Sequence, residues 1–152
     1  MKNYLNIILL LWLPMQLNAI VVKRASVGAL SFKANGQLFT AAPSHARGYA
    51  VKQTMLAFIN GANENMVIGI EWKGVKGTGI YSIDTKAGKA EFTIDHKTYF
   101  PKQAGDYLKV TVKAAKQQGA FLLLTGTFEG QLQDKNGNKV KIESGAFETI
   151  SL

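Results

Sequence analysis

The stretch GTFEGQLQDKNGNKVKIESGAF, Gly126 to Phe147, decides the fold. Its centre, Asp134-Lys-Asn-Gly-Asn-Lys139, sets carboxylate and amide side chains at alternate positions, as the opening of a calcium loop does. Such a loop of the EF-hand type needs glycine at its sixth position, a bidentate glutamate at its twelfth, and helices on both sides. Counted from Asp134, the glycine falls fourth and the twelfth residue is Gly145. Lys135 and Lys139 add opposing charge, and the flanks TFEGQLQ and KVKIES alternate as strands do. Asn-Gly between alternating runs is instead a strong hairpin signal, because the tightest hairpin turn needs positive φ at both central residues. The stretch therefore predicts a long strand over 120–133, a turn over 134–139 and a return strand over 140–144. Gly126 and Gly130 either permit a bend in that long strand or let another backbone come close.

The same alternation runs through most of the chain. MVIGIEW sets Met66, Ile68, Ile70 and Trp72 on one face, with Val67, Gly69 and Glu71 on the other. KAEFTID alternates Ala90, Phe92 and Ile94 with Lys89, Glu91 and Thr93, and YLKVTVKA sets Leu108, Val110 and Val112 against Lys109 and Thr111. One wet and one dry face per strand is the pattern of antiparallel sheets packed on one side. Turn signals at Asn35-Gly36, Asn60 to Asn63, Lys73 to Gly79, Lys86 to Gly88 and Gln117 to Gly119 punctuate the runs. The reading is all-β: a single antiparallel β-sandwich or flattened barrel of roughly nine to ten strands. Val112 to Gln118 alone admits a short helix, which Gly119 would stop after two turns.

Lys2, the apolar run Leu5 to Leu13, and the segment from Pro14 to Ala19 read as an export signal. This run of nine residues, eight of them apolar, falls well short of the roughly 20 needed to span a bilayer. Residues 1–19 are thus expected to be a signal peptide and 20–152 a single all-β domain with no membrane span. The expected compartment is the periplasm or the extracellular space. The sequence contains no cysteine. That excludes disulfides, a thiol nucleophile and a lipoprotein anchor, so an exported chain of this size must be stabilised by its own packing. Its net charge is +8, and losing Lys2 with the leader leaves +7. This balance favours association with anionic surfaces, but the lysines are dispersed and form no stripe with aromatics. No nucleic-acid partner is expected.

Catalytic chemistry finds little support in the sequence. His45 and His96 are the only histidines, and no Gly-x-Ser-x-Gly elbow is present. The two histidines with Asp95 or Glu91 would supply the minimum for zinc, but their spacing has no ligand pattern. GVKGTG, Gly74 to Gly79, leads into the strand-like IYSID instead of the helix that a phosphate cradle requires. No cofactor, metal or catalytic residue is assigned. Two irregular segments remain, Ala41 to Thr54 and His96 to Asp106. Binding residues concentrate on loops, so His45, Arg47, His96, Tyr99 and Phe100 are the ligand-contact candidates.

The order of motifs LSFKANGQLFTA, VIGIEW, GTGIYSID, YLKVTVKAA and GTFEGQLQDKNGNKVKIESGAF resembles a family of small exported all-β proteins of unknown function from Bacteroidetes bacteria. The resemblance spans Ala29 to Phe147. This chain departs from it with Leu38-Phe39 where tryptophan is usual, and with Glu143-Ser144 in place of Thr-Asn or Thr-Asp. The resemblance brings no catalytic residue with it. The functional expectation is a non-enzymatic structural or binding module of the cell envelope, its partner left open between an envelope component and a small apolar ligand. The alternative is a lipocalin-like carrier of a small apolar ligand, and a glycan-acting enzyme ranks third.

Overall fold

The computed structural model describes residues 28–102 and 104–149. The expected leader lies outside the described residues, and no helix among them is long and apolar enough to cross a membrane. Eleven antiparallel strands form one sheet that is not closed. They are β1 (Ala29–Ala34), β2 (Gln37–Thr40), β3 (Arg47–Val51), β4 (Leu56–Asn63), β5 (Met66–Lys73), β6 (Gly79–Ile83), β7 (Gly88–Ile94), β8 (Lys97–Tyr99), β9 (Tyr107–Gln118), β10 (Phe121–Gln133) and β11 (Lys139–Glu148). A 3-10 turn, Pro43–His45, precedes β3.

The long strand β10 splits the sheet into two layers. Along one edge it pairs with β9. Along the other, Phe121 to Leu123 pair with β3, and Thr125 to Gln133 pair with β11. The Gly48 amide donates to Thr149 Oγ1 where these two partners meet end to end. One wing therefore runs β11-β1-β2 and the other β3-β4-β5-β7-β8. The wings fold face to face. Phe32 on β1 meets Phe92 on β7 edge-on at 5.3 Å, and Asn63 Nδ2 donates to the Thr40 carbonyl at 2.7 Å.

The alternation read from the sequence fills the space between the wings. Met66, Ile68, Ile70 and Trp72 are all buried, as are Ala90, Phe92 and Ile94. Phe32, Phe92 and Phe128 form a mutual cluster with centroids 5.3–6.0 Å apart, and all three are fully buried. Burying each such ring contributes about 2–3 kcal/mol. That packing replaces the cross-links that the chain cannot make. The ambiguity at Gly126 and Gly130 is resolved in favour of close approach: a Cβ there would overlap the carbonyl oxygens of Thr111 and Tyr107 on β9.

Two local expectations differ. Val112 to Gln118 continues β9 instead of forming a helix, because Ala115, Lys116 and Gln117 pair with Leu124, Leu123 and Leu122. Cross-strand partners there override the helical preference of Lys-Ala-Ala-Lys-Gln-Gln. The β10–β11 turn stands where expected but does not take positive φ at both Asn136 and Gly137. Only Gly137 of the Asn-Gly pair has positive φ, and the loop runs from Asp134 to Asn138. The eleven strands slightly exceed the expected nine or ten, and β2 and β8 are too brief to show a period.

Candidate functional site

The β7–β8 and β10–β11 turns arrive at the same end of the molecule. Just past β8, Phe100 makes an isolated bridge to Gln133, the last residue of β10, with backbone hydrogen bonds of 3.0 and 3.1 Å. Between the two turns lies a cleft of about 460 Å³ lined by His96, Phe100, Asp134, Lys135 and Asn138 among others.

One wall is the Asp134 turn. Asp134 Oδ1 accepts from the amides of Asn136 at 2.8 Å and Asn138 at 2.9 Å, while Oδ2 accepts from Asn138 Nδ2 at 2.7 Å. The Asn138 side chain, aided by the backbone amides, holds the carboxyl below the ordinary aspartate value of 3.8. This carboxylate is occupied in shaping its own loop. The same device shapes two other turns, in the β6–β7 connection, where Asp84 accepts from Lys86 and Ala87, and in the β4–β5 hairpin, where Asn63 accepts from Asn65 and Met66.

The other wall is the Asp95-His96 turn, joining the pair Ile94–Lys97. Both residues have positive φ, 47° and 64°. A two-residue turn of this hand normally uses Asn-Gly or Asp-Gly. Histidine in that position holds about 1 kcal/mol of backbone strain that glycine would not. Beneath the cleft, the buried Asp106 accepts from Gln133 Nε2 and from the Lys102 amide, tying the segment after β8 to the end of β10. Lys102 Nζ reaches the Lys135 carbonyl at 2.8 Å. Lys97 and Lys135 have no ion-pair partner among the described residues. The cleft thus presents unpaired positive charge beside an aromatic ring.

His96 and Phe100 are brought together here. Tyr99, on the opposite side of β8, packs against the core and lines a separate hollow of about 190 Å³ with Asn35, Gln37 and Phe39. His45 is exposed on the 3-10 turn, and Arg47 opens β3 opposite Asn60. The two histidines sit on different elements, and no three His, Cys, Asp or Glu side chains gather as a metal site among the described residues. The sequence assigns Asp134 to Lys139 to a turn but does not show that this turn faces His96. Only the Phe100–Gln133 bridge reveals it. In comparisons with known proteins, no family model, curated protein or solved structure matches the chain.

Proposed function

We propose that the protein is an exported, non-enzymatic binding module of the cell envelope, and that the cleft between the β7–β8 and β10–β11 turns receives an anionic envelope component. The observation that carries this reading is the strained His96 turn, set across the cleft from Asp134 to Asn138. Strain of this kind persists where the surrounding structure or a function retains it, and the hairpin alone would be better served by glycine. The free ammonium groups of Lys97 and Lys135 supply the charge complement for phosphate or carboxylate groups. The filled aromatic interior supports contacts on the outside of the scaffold over a carrier's internal chamber.

The test is co-sedimentation of the purified protein with peptidoglycan sacculi and with vesicles containing anionic lipid, at low and high salt. Retention should fall with salt, since exposed charges are screened, and should drop in Lys97→Ala/Lys135→Ala and in Phe100→Ala. Full retention by these variants, or turnover in a broad hydrolase panel, would overturn the reading.

A further inference from the structure

We infer that the outer face of β4, β5 and β7 around Gly69 is a second binding site, for a neutral saccharide chain. The inference stands apart from the tip cleft and starts from an unexplained glycine. Glycine within a strand weakens it, and it is usually kept for an unusual φ or for close approach. Six other strand glycines meet the second condition: a Cβ at Gly48, Gly61, Gly88, Gly126, Gly130 or Gly145 would press on a neighbour at about 3 Å or less, while Gly79, at the first position of β6, would meet the Tyr81 ring at 3.4–3.5 Å. Gly69 meets neither. Its φ is not positive, and a Cβ there would meet nothing nearer than Asn60 Oδ1 at 3.8 Å. The fold has room for a side chain at this position, and the sequence leaves it out.

The omission makes the floor of a hollow of about 330 Å³, at the lower end of the range of roughly 300–1,000 Å³ for ligand sites. The rim combines two chemistries. Phe58 stands on one side, stacked on Tyr49 at 5.3 Å, while Phe121 braces Tyr49 edge-on at 5.8 Å. Of the three rings Phe58 alone lines the hollow, held in place by the other two, and it offers an apolar contact for the C–H groups of a sugar ring. Asn60 and Glu91 flank Gly69 on the neighbouring strands, and Glu71 and Lys89 form the next cross-strand row. Glu71 and Lys89 are directly opposed, yet Glu71, Glu91 and Lys89 make no ion pair among the described residues. Their donors and acceptors are therefore available to hydroxyl groups.

The same features argue against other occupants. A peptide strand cannot add here, because β5 already pairs with β4 and β7 over its whole length. An anion would face two carboxylates against one ammonium group. A wholly apolar partner would bury four polar side chains without partners.

The test is isothermal titration of the full-length secreted protein with neutral hexasaccharides of glucose, xylose, mannose and N-acetylglucosamine. At least one should bind, and Gly69→Thr should weaken it at least about tenfold, an effect on the order of 1.4 kcal/mol, without lowering the melting temperature. Glu91→Gln should also weaken binding, while Phe100→Ala at the tip cleft should leave it unchanged. No binding to any of the four, or binding indifferent to Gly69→Thr, would overturn the assignment. So would self-association that Gly69→Thr abolishes, since the occupant would then be a second copy. A Gly69→Thr variant that melts lower would refute the open hollow itself.

Discussion

Substituting alanine for glycine should have opposite effects at Gly130 on β10 and at Gly69 on β5. At Gly130, a Cβ would overlap the Tyr107 carbonyl oxygen and stand 2.9 Å from Leu108 Cα and 3.0 Å from the Tyr107 carbonyl carbon. All three are backbone atoms, so no rotamer change relieves them. The β9 and β10 backbones must separate next to the Lys109–Glu129 pairing. Overpacking of this kind costs about 1–3 kcal/mol. At Gly69 the new methyl enters open space at an ordinary φ, and the smaller entropy of the unfolded chain should stabilise the protein by about 0.4–1 kcal/mol. For a domain of this size, each kcal/mol moves Tm by roughly 3–5 °C. Gly130→Ala should therefore melt about 3–15 °C lower than the parent, and Gly69→Ala about 1–5 °C higher. Differential scanning calorimetry reads both, and urea midpoints with unchanged slopes would show that folding remains two-state. If Gly69→Ala melts lower, some unseen constraint holds that glycine, and the reasoning that makes it a ligand floor fails. If Gly130→Ala is neutral, the close approach of β9 is not rigid, and the contrast between the two glycines disappears.

Phe128 touches Phe32, Phe92 and Phe147. Phe128→Ala should cost about 3–5 kcal/mol, read as a lower urea midpoint and a weakened near-ultraviolet circular dichroism signal. His96→Gly should raise stability by about 1 kcal/mol by relieving the turn, while reducing retention on envelope material; a fall in Tm would show that the histidine is there for the fold. Asp106→Ala removes the acceptor of the buried Gln133 amide and should destabilise by about 1–3 kcal/mol, with amide exchange rising first in Phe100 and Gln133. The Asp134 carboxyl titrates below its ordinary value, chiefly because of the Asn138 side chain. Its contribution is fully present above the unfolded pKa and is lost as pH falls through the lower folded one. The turn should accordingly loosen only under acid conditions below that ordinary value, seen as collapse of the Asn138 side-chain amide shifts in a pH-titrated NMR series. Asp134→Asn should abolish this step.

What could be read from the sequence was what depends on neighbours along the chain. The alternation of Met66 to Trp72 and of Ala90 to Ile94 gives the buried face directly, because side chains on a strand have a period of two. Asn35-Gly36 takes positive φ at both residues, 48° and 86°, as its composition demands. Local reading failed where partners distant in the chain decide. Lys113 to Gln118 has helical composition but is held extended by Leu122 to Leu124 across a hairpin. The tip cleft was half legible: His96 and Phe100 stand in an irregular segment, but nothing between residues 96 and 134 announces that their turns meet. Gly69 was visible as an outward position on a strand. That it lacks a reason to be glycine is visible only from the space above it.

Strain and omission carry different information in this molecule. Besides Asn35 and Asp95, which tolerate positive φ, Met55, His96 and Ser144 adopt it. Ser144 has a structural account: pairing shifts register between Phe128 and Gly130 opposite it, so the bulge needs a residue in that conformation. Met55 has a partial one, since its carbonyl accepts from the amide of buried Val75 at 3.2 Å, and it lines none of the hollows considered above. For His96 the hairpin explains the conformation but not the choice of residue, and its side chain faces a cleft. Gly69 is the converse, an ordinary conformation with a missing side chain. Both positions give up about the same small amount of stability, near 1 kcal/mol, in a scaffold without cross-links. They lie on surfaces that differ in charge: unpaired ammonium groups at the tip, two carboxylates against one ammonium group on the face. A single ligand class would not select both, which is why the two sites are assigned different chemistry and why each has a variant that leaves the other intact.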